Sequence, residues 1–121
     1  RDAEAYLALS AGLKSGRKDE AGLEKLYKKA ADAPYEICKL SAECLSLCRK
    51  IVGIQNRRLV TDTASAAMML EAAFFSAKFN VYINLKFIKD TEYIGRLHRE
   101  LTKLEKSVPK LKDEIIEMCE E

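Results

Sequence analysis

The sequence predicts an all-α fold of long, partly kinked helices. Five glycines and two prolines in 121 residues leave little punctuation, so the segments between breaks are long. Within those segments apolar residues recur at three- and four-residue spacing, the period of a helix with one buried face. A strand-based fold needs many more turns. With 48% hydrophobic and 33% charged residues, the chain has enough apolar surface for one core and is too polar for a membrane protein. Residues 1–121 are therefore read as a single helical domain.

The elements follow in order. Asp2 to Lys14 reads as a first helix that already resembles a helix interior at Arg1 and ends at the turn signal Ser15-Gly16. A second starts near Asp19, a good N-cap, with Glu20 in its first turn. It carries Leu23, Leu26, Tyr27 and Ala30, is broken or kinked at Pro34, and resumes through the stripe Ile37, Leu40, Cys44, Leu47, Cys48 and Ile51 as far as Gly53. After the link "QNRRLV", Thr61 or Asp62 is a suitable N-cap for a third helix. From Thr63 to Lys89 there is neither Gly nor Pro, and residues 64–73 are rich in strong helix formers. A last helix begins around Asp90 to Glu92 and carries Tyr93, Ile94, Leu97, Leu101, Leu104, Val108, Leu111, Ile115 and Met118 on one stripe, with a bend or restart expected at Pro109.

Charge and cysteine usage narrow the function classes. Lys plus Arg outnumber Asp plus Glu by only 21 to 19, which gives no electrostatic case for nucleic acid or lipid. No apolar run reaches the length of a membrane span and no charged-then-apolar leader opens the chain, so a cytoplasmic protein is expected. Cys38, Cys44, Cys48 and Cys119 contain no C-x-x-C, and His98 is the only histidine. Free, mostly buried thiols in a reducing compartment are the expectation, with no metal site. His98 lies off the apolar stripe and is read as exposed.

The stretch "SAKFNVYINLK", residues 76–86, carries the functional question, because Asn80 and Asn84 interrupt an apolar run. On a helical wheel of about 100° per residue, Ser65, Ser76, Asn80 and Asn84 fall within about 60° of Asp62. Glu71, Lys78, Tyr82 and Lys89 gather near the opposite pole. A surface helix needs only one polar edge. The expectation is that Lys78 and Tyr82 face solvent, while Asn80 and Asn84 turn away from it, either to bond neighbouring helices or to present two carboxamides to a ligand. Asp62 lies about 27 Å along the axis from Asn80, too far to share a site with it unless a long ligand or a second subunit connects the two ends.

Several pieces, in order, resemble the cyclodeaminase/cyclohydrolase family of folate enzymes. "DAEAY" is similar to its Asp-x-x-Ala-aromatic helix, Ala33-Pro34 to its apolar-Pro step, Asn56 with Asp62 to its Asn followed by Ser-Asp, and "FNVYINLK" to its Asn-Val-x-Ile-Asn-Leu core. The family's upstream Pro-Gly-Gly-Gly segment has no counterpart, Thr61 stands where Ser is usual, and Arg57-Arg58 replace a more neutral pair. The chain thus resembles the C-terminal portion of a family domain. The resemblance implies an all-α bundle, assembled as a homodimer with folate in a groove near the subunit interface.

It also implies the chemistry. A cyclodeaminase converts 5-formiminotetrahydrofolate to 5,10-methenyltetrahydrofolate and ammonia. The alternative, a methenyltetrahydrofolate cyclohydrolase, adds water to that bridge and gives 10-formyltetrahydrofolate. Both take a tetrahydrofolate derivative as substrate, need no prosthetic group, and require a base for the nucleophile and an acid for the departing nitrogen. Asp2 or Asp62 is the candidate for proton transfer, the other readings being a first-turn carboxylate and a helix N-cap. Asn80 and Asn84 are candidates for bonding the pterin or reacting amide, Asn56 of the same motif set is a further substrate-binding candidate, and Lys86, Arg57 and Arg58 are cations suited to the glutamate tail. A non-catalytic helical interaction module that keeps the bundle is the reading from another class.

Overall fold

A computed structural model describes residues 3, 4, 7, 8, 10, 11, 19–54 and 56–121. The six described residues near the start are helical. Beyond them the described residues form three long helices and no strand: α1 (Glu20–Val52), α2 (Val60–Leu85) and α3 (Thr91–Glu120). Each packs on the other two, α1 with α2 most extensively. None is long and apolar enough to cross a membrane.

The helix starts follow local chemistry. The Asp19 carboxylate accepts from the Ala21 amide at 3.2 Å and caps α1; that of Asp90 accepts from Tyr93 at 3.1 Å and caps α3. For α2 the N-cap is Leu59, which has no side-chain cap bond. Asp62 is therefore in the first turn rather than at the cap, where its negative charge still suits the helix dipole. The other end also differs from expectation, since α2 stops at Leu85. Tight turns from Phe87 to the Asn84 carbonyl and from Ile88 to Leu85 replace the continuation to Lys89.

Neither proline ends a helix. α1 runs through Pro34 and α3 through Pro109. Pro34 has no N–H, so it leaves the carbonyl of Ala30, four residues back, without its helical donor. α2 supplies a substitute: the Asn84 carboxamide reaches that carbonyl at 3.5 Å, a long bond, while donating to its own Asn80 carbonyl at 2.9 Å.

The core is drawn from all three helices: Ala31, Cys38 and Leu45 of α1; Ala67, Phe74 and Val81 of α2; Leu97, Leu101, Val108 and Ile115 of α3. The Cys38 thiol donates to the Phe74 carbonyl, and burial pushes its pKa up to about 11, which makes it a packing group. Contrary to the expectation of mostly buried thiols, only Cys38 of the four is buried: Cys44 is exposed and Cys48 and Cys119 are half-buried, all unbridged. The α1 stripe divides: Cys48 packs against the core, whereas Ile37, Leu40, Cys44, Leu47 and Ile51 face outward.

Lys78 and Tyr82 reverse the expectation for α2. Lys78 is 7% exposed, Tyr82 is half-buried, and it is Asn80 that faces solvent. α3 explains the reversal. Lys78 Nζ meets Glu105 at 2.6 Å and lies over the rings of Phe75, Phe79 and Tyr82, while Tyr82 stacks on the exposed His98. Desolvating an ammonium costs several kcal/mol, and one carboxylate with three aromatic faces worth about 0.5–1 kcal/mol each is enough to offset it. Because Glu105 remains largely in water, Lys78→Met is expected to cost less than about 1 kcal/mol. Phe74→Ala, which empties the centre of the core, is expected to cost about 3–5 kcal/mol. Urea denaturation of both variants checks the contrast, and equal losses would contradict this account of Lys78.

Candidate functional site

α2 carries three charged residues, and two are neutralised against α3: Lys78 by Glu105, and Glu71 by Lys112 at 3.6 Å. Asp62 is exposed and, among the described residues, has no ion-pair partner. It shares one edge of the helix with Asn80 and Asn84, all three within about 60° on the helical wheel. The Asn80 carboxamide is exposed and bonds no described residue; Asn84 is half-buried, with its amide nitrogen engaged as above and its Oδ1 unpartnered. The helix thus presents one carboxylate and two carboxamide oxygens to solvent along one edge. Asp62 and Asn84 are about 33 Å apart along that edge, so a single chain does not bring them together.

The remaining predicted residues divide between the two ends. Asn56, Arg57 and Arg58 lie in the α1–α2 connection, at the Asp62 end, and are exposed. The Asn56 carboxamide oxygen accepts from the Arg58 amide at 2.9 Å and shapes the turn, and the Arg57 guanidinium donates to the Glu121 carbonyl at 2.8 Å. Arg58 extends into water, as does Lys86 just beyond the other end of α2. Asp2 lies outside the described residues. No group of three or more His, Cys, Asp or Glu side chains is arranged to hold a metal ion among the described residues.

One polar cluster was not singled out from the sequence. Glu24, Lys28 and Asp32 recur every four residues on α1 and meet the α2–α3 connection. Glu24 accepts from the amides of Lys89 and Asp90, Lys28 pairs with Asp90 at 2.8 Å, and the Tyr93 hydroxyl donates to Asp32 and lies 3.1 Å from the Lys28 carbonyl. That i, i+4, i+8 charge spacing was a usable signal. Beside it opens a shallow concavity of about 670 Å³ lined by Asp90, Thr91, Glu92, Tyr93, Arg96 and Arg99. The cluster clamps the connection that sets where Asn84 stands relative to α1. Burial and the Asp32 carboxylate push the Tyr93 phenol well above its ordinary range, and the hydrogen bond from Lys28 with the cap bond from Tyr93 hold Asp90 below the usual carboxylate range.

Comparison with known proteins shows which family the chain belongs to. Residues 1–103 match the family described as formiminotransferase-cyclodeaminase. The chain belongs to that family. A methenyltetrahydrofolate cyclohydrolase of Methylorubrum extorquens is 27% identical over 97 residues, covering 80% of this chain and 47% of that protein. The crystal structure of a formiminotetrahydrofolate cyclodeaminase from Thermotoga maritima matches with a TM-score of 0.90 at 28% identity, covering 99% of this chain and 59% of that one. The chain thus spans about half the length of the curated relative. The chain is thus similar, at nearly equal identity, to proteins named for each of the two folate reactions.

Two measurements check the local chemistry. Asn84→Leu removes the donor to the Ala30 carbonyl and is expected to lower stability by about 1 kcal/mol. Asn80→Leu breaks no bond and is expected to stay within about 0.5 kcal/mol; equal losses would contradict the assignment. For Asp90 the folded pKa is depressed, so its contribution to stability is complete above about pH 4 and is lost as pH falls through the lowered value. Lys28→Met is expected to raise the Asp90 pKa, read by NMR titration of its side-chain carbon.

Proposed function

We propose that this chain is the C-terminal, folate-handling portion of a formiminotetrahydrofolate cyclodeaminase domain, acting in the cytoplasm as a homodimer. The observation that carries the reading is the edge of α2, where Asp62 is the helix's one charge without an ion-pair partner among the described residues and stands in line with two carboxamides. A pterin offers ring N–H and carbonyl groups, which carboxamides match as both donors and acceptors. Asp62 has the freedom to accept a proton from N10 as it attacks the formimino carbon and to return one to the departing ammonia. Lys86, Arg57 and Arg58 are solvent-facing cations for the glutamate tail, and Asn56 holds the arginine-bearing turn. Asp2 remains a second candidate for proton transfer.

The cyclohydrolase reading is favoured by a different observation, the Methylorubrum extorquens relative. In that reaction the same carboxylate would take the proton from water as the methenyl bridge opens. The two readings differ in nucleophile and leaving group, and no described residue selects ammonia over water.

Incubation of the full chain with 5-formiminotetrahydrofolate is expected to release ammonia as the methenyl chromophore appears, faster than the chromophore decays when 5,10-methenyltetrahydrofolate is supplied. The reverse order would favour the cyclohydrolase, and neither turnover nor folate binding would overturn the enzyme reading. Asn80→Leu is expected to weaken folate binding by about 1–3 kcal/mol, the penalty for an unpaired ligand group, with thermal stability unchanged.

A further inference from the structure

Phe87 stands just past the end of α2 and is 55% exposed, yet one of its faces is covered. The Tyr27 ring of α1 stacks on it, with centroids 5.0 Å apart and planes 16° from parallel. A ring stacked on one side and still so exposed has its other face open. The backbone fixes that ring in place. The Phe87 amide donates to the Asn84 carbonyl at 3.1 Å, the next residue, Ile88, is buried, and Glu24, one turn before Tyr27 on α1, accepts from the amides of Lys89 and Asp90. In a turn closed between residues three apart the two side chains eclipse, so Phe87 stands over Asn84, about 6 Å along the chain axis. Asn80 lies about 6 Å beyond Asn84 in the same direction. One face thus carries an open aromatic ring, the unpartnered Oδ1 of Asn84, and the exposed Asn80 carboxamide, which bonds no described residue.

We propose that the stacked rings of Tyr27 and Phe87 form an aromatic platform, and that the planar pyrimidine half of a folate's pterin lies on the open face of Phe87 while Asn84 and Asn80 bond its edge. The inference rests on the folate reading of the two asparagines. Stacked rings have centroids about 4.5–7 Å apart, which is the separation between the levels of Phe87 and Asn84. A ligand ring on Phe87 therefore has its edge within reach of the Asn84 oxygen. The pterin carries amino, ring N–H and carbonyl groups on that edge, and carboxamides match them as donors and acceptors. The benzoyl ring of a folate carries no such set, so placing it here would leave both carboxamides unused. Tyr27 also restrains Phe87 before any ligand arrives, which reduces the rotamer freedom lost on binding. Lys86, exposed and next in sequence to Phe87, remains free for the anionic tail.

Calorimetric titration of the full chain with 5-formyltetrahydrofolate, and displacement of that folate by 6-methyltetrahydropterin, test the platform. Phe87→Leu keeps an apolar group against Tyr27 and removes the ring. It is expected to weaken both ligands about tenfold, the scale of losing an aromatic under a stacked base, with far-ultraviolet circular dichroism unchanged. The chain contains no tryptophan, so Phe87→Trp places a single indole in the platform. Its emission is expected to be quenched over the same concentrations that give the calorimetric curve. Wild-type affinity in Phe87→Leu beside weakened binding in Asn80→Leu overturns the platform and leaves the folate reading standing. A pterin that fails to displace the folate, or that displaces it equally well from the wild type and Phe87→Leu, overturns the assignment of the stacked ring. A wild type that binds no folate overturns the folate reading and the platform with it.

Discussion

The packing of the bundle turns on one constraint: α2 is a 26-residue helix whose residues are mostly apolar. A helix with so wide an apolar surface needs cover on more than one flank. α1 covers one flank through Ala31, Cys38 and Leu45 against Ala67, Phe74 and Val81, and α3 covers another with Leu97, Leu101 and Val108. The charges that α2 does carry toward α3 are each matched there, Lys78 by Glu105 and Glu71 by Lys112. Covered on two flanks and apolar on the third, the helix leaves only a narrow edge on which a polar group is free to do anything but support the fold. Asp62 and Asn80 stand on that edge.

Pro34 shows how structure and site share residues. A proline inside a helix normally costs about 3 kcal/mol, partly through the carbonyl it strands. Here that carbonyl, on Ala30, points to α2 and meets the Asn84 carboxamide. One asparagine of the pair is therefore partly committed to structure, and the other is not. The pair that looked alike in sequence divides into Asn84, which ties α2 to the proline turn of α1, and Asn80, which the fold does not use.

The sequence made the helices legible because their signals are local. Sparse glycine and proline, the Asp19 and Asp90 caps, and the α3 stripe of Leu97, Leu101, Val108 and Ile115 need no tertiary information. The orientation of α2 was not legible. A helical wheel fixes the angle between Lys78 and Asn80 but not which of them faces water, and the usual preference of lysine for solvent gave the wrong pole. What reversed it was Glu105 and the rings around Lys78, a tertiary arrangement with no signature in residues 76–86. The same limit applies to α1, where Ile37, Leu40, Leu47 and Ile51 have core spacing yet face outward, and to the start of α2, where Thr61 and Asp62 are good caps that the chain passes by. Of the candidate site, residue types and their common edge were readable, whereas the separation of Arg57, Arg58 and Asp62 from Asn84 took on meaning only once each end had neighbours.

On the proposed folate reading, that separation bears on where a carboxylate and two carboxamides can be placed on such a helix. An acid/base group close to two carboxamides within one chain would have to crowd a single turn of α2, where the apolar residues needed against α1 and α3 already occupy most positions. Placing the carboxylate in the first turn and the carboxamides in the last avoids that conflict. Asp62 gains the favourable N-terminal end of the helix dipole, and Asn84 gains the stranded carbonyl of Ala30. Each group thus sits where the fold already has a reason to hold it. The length of α2 then sets how far apart the two groups stand within one chain.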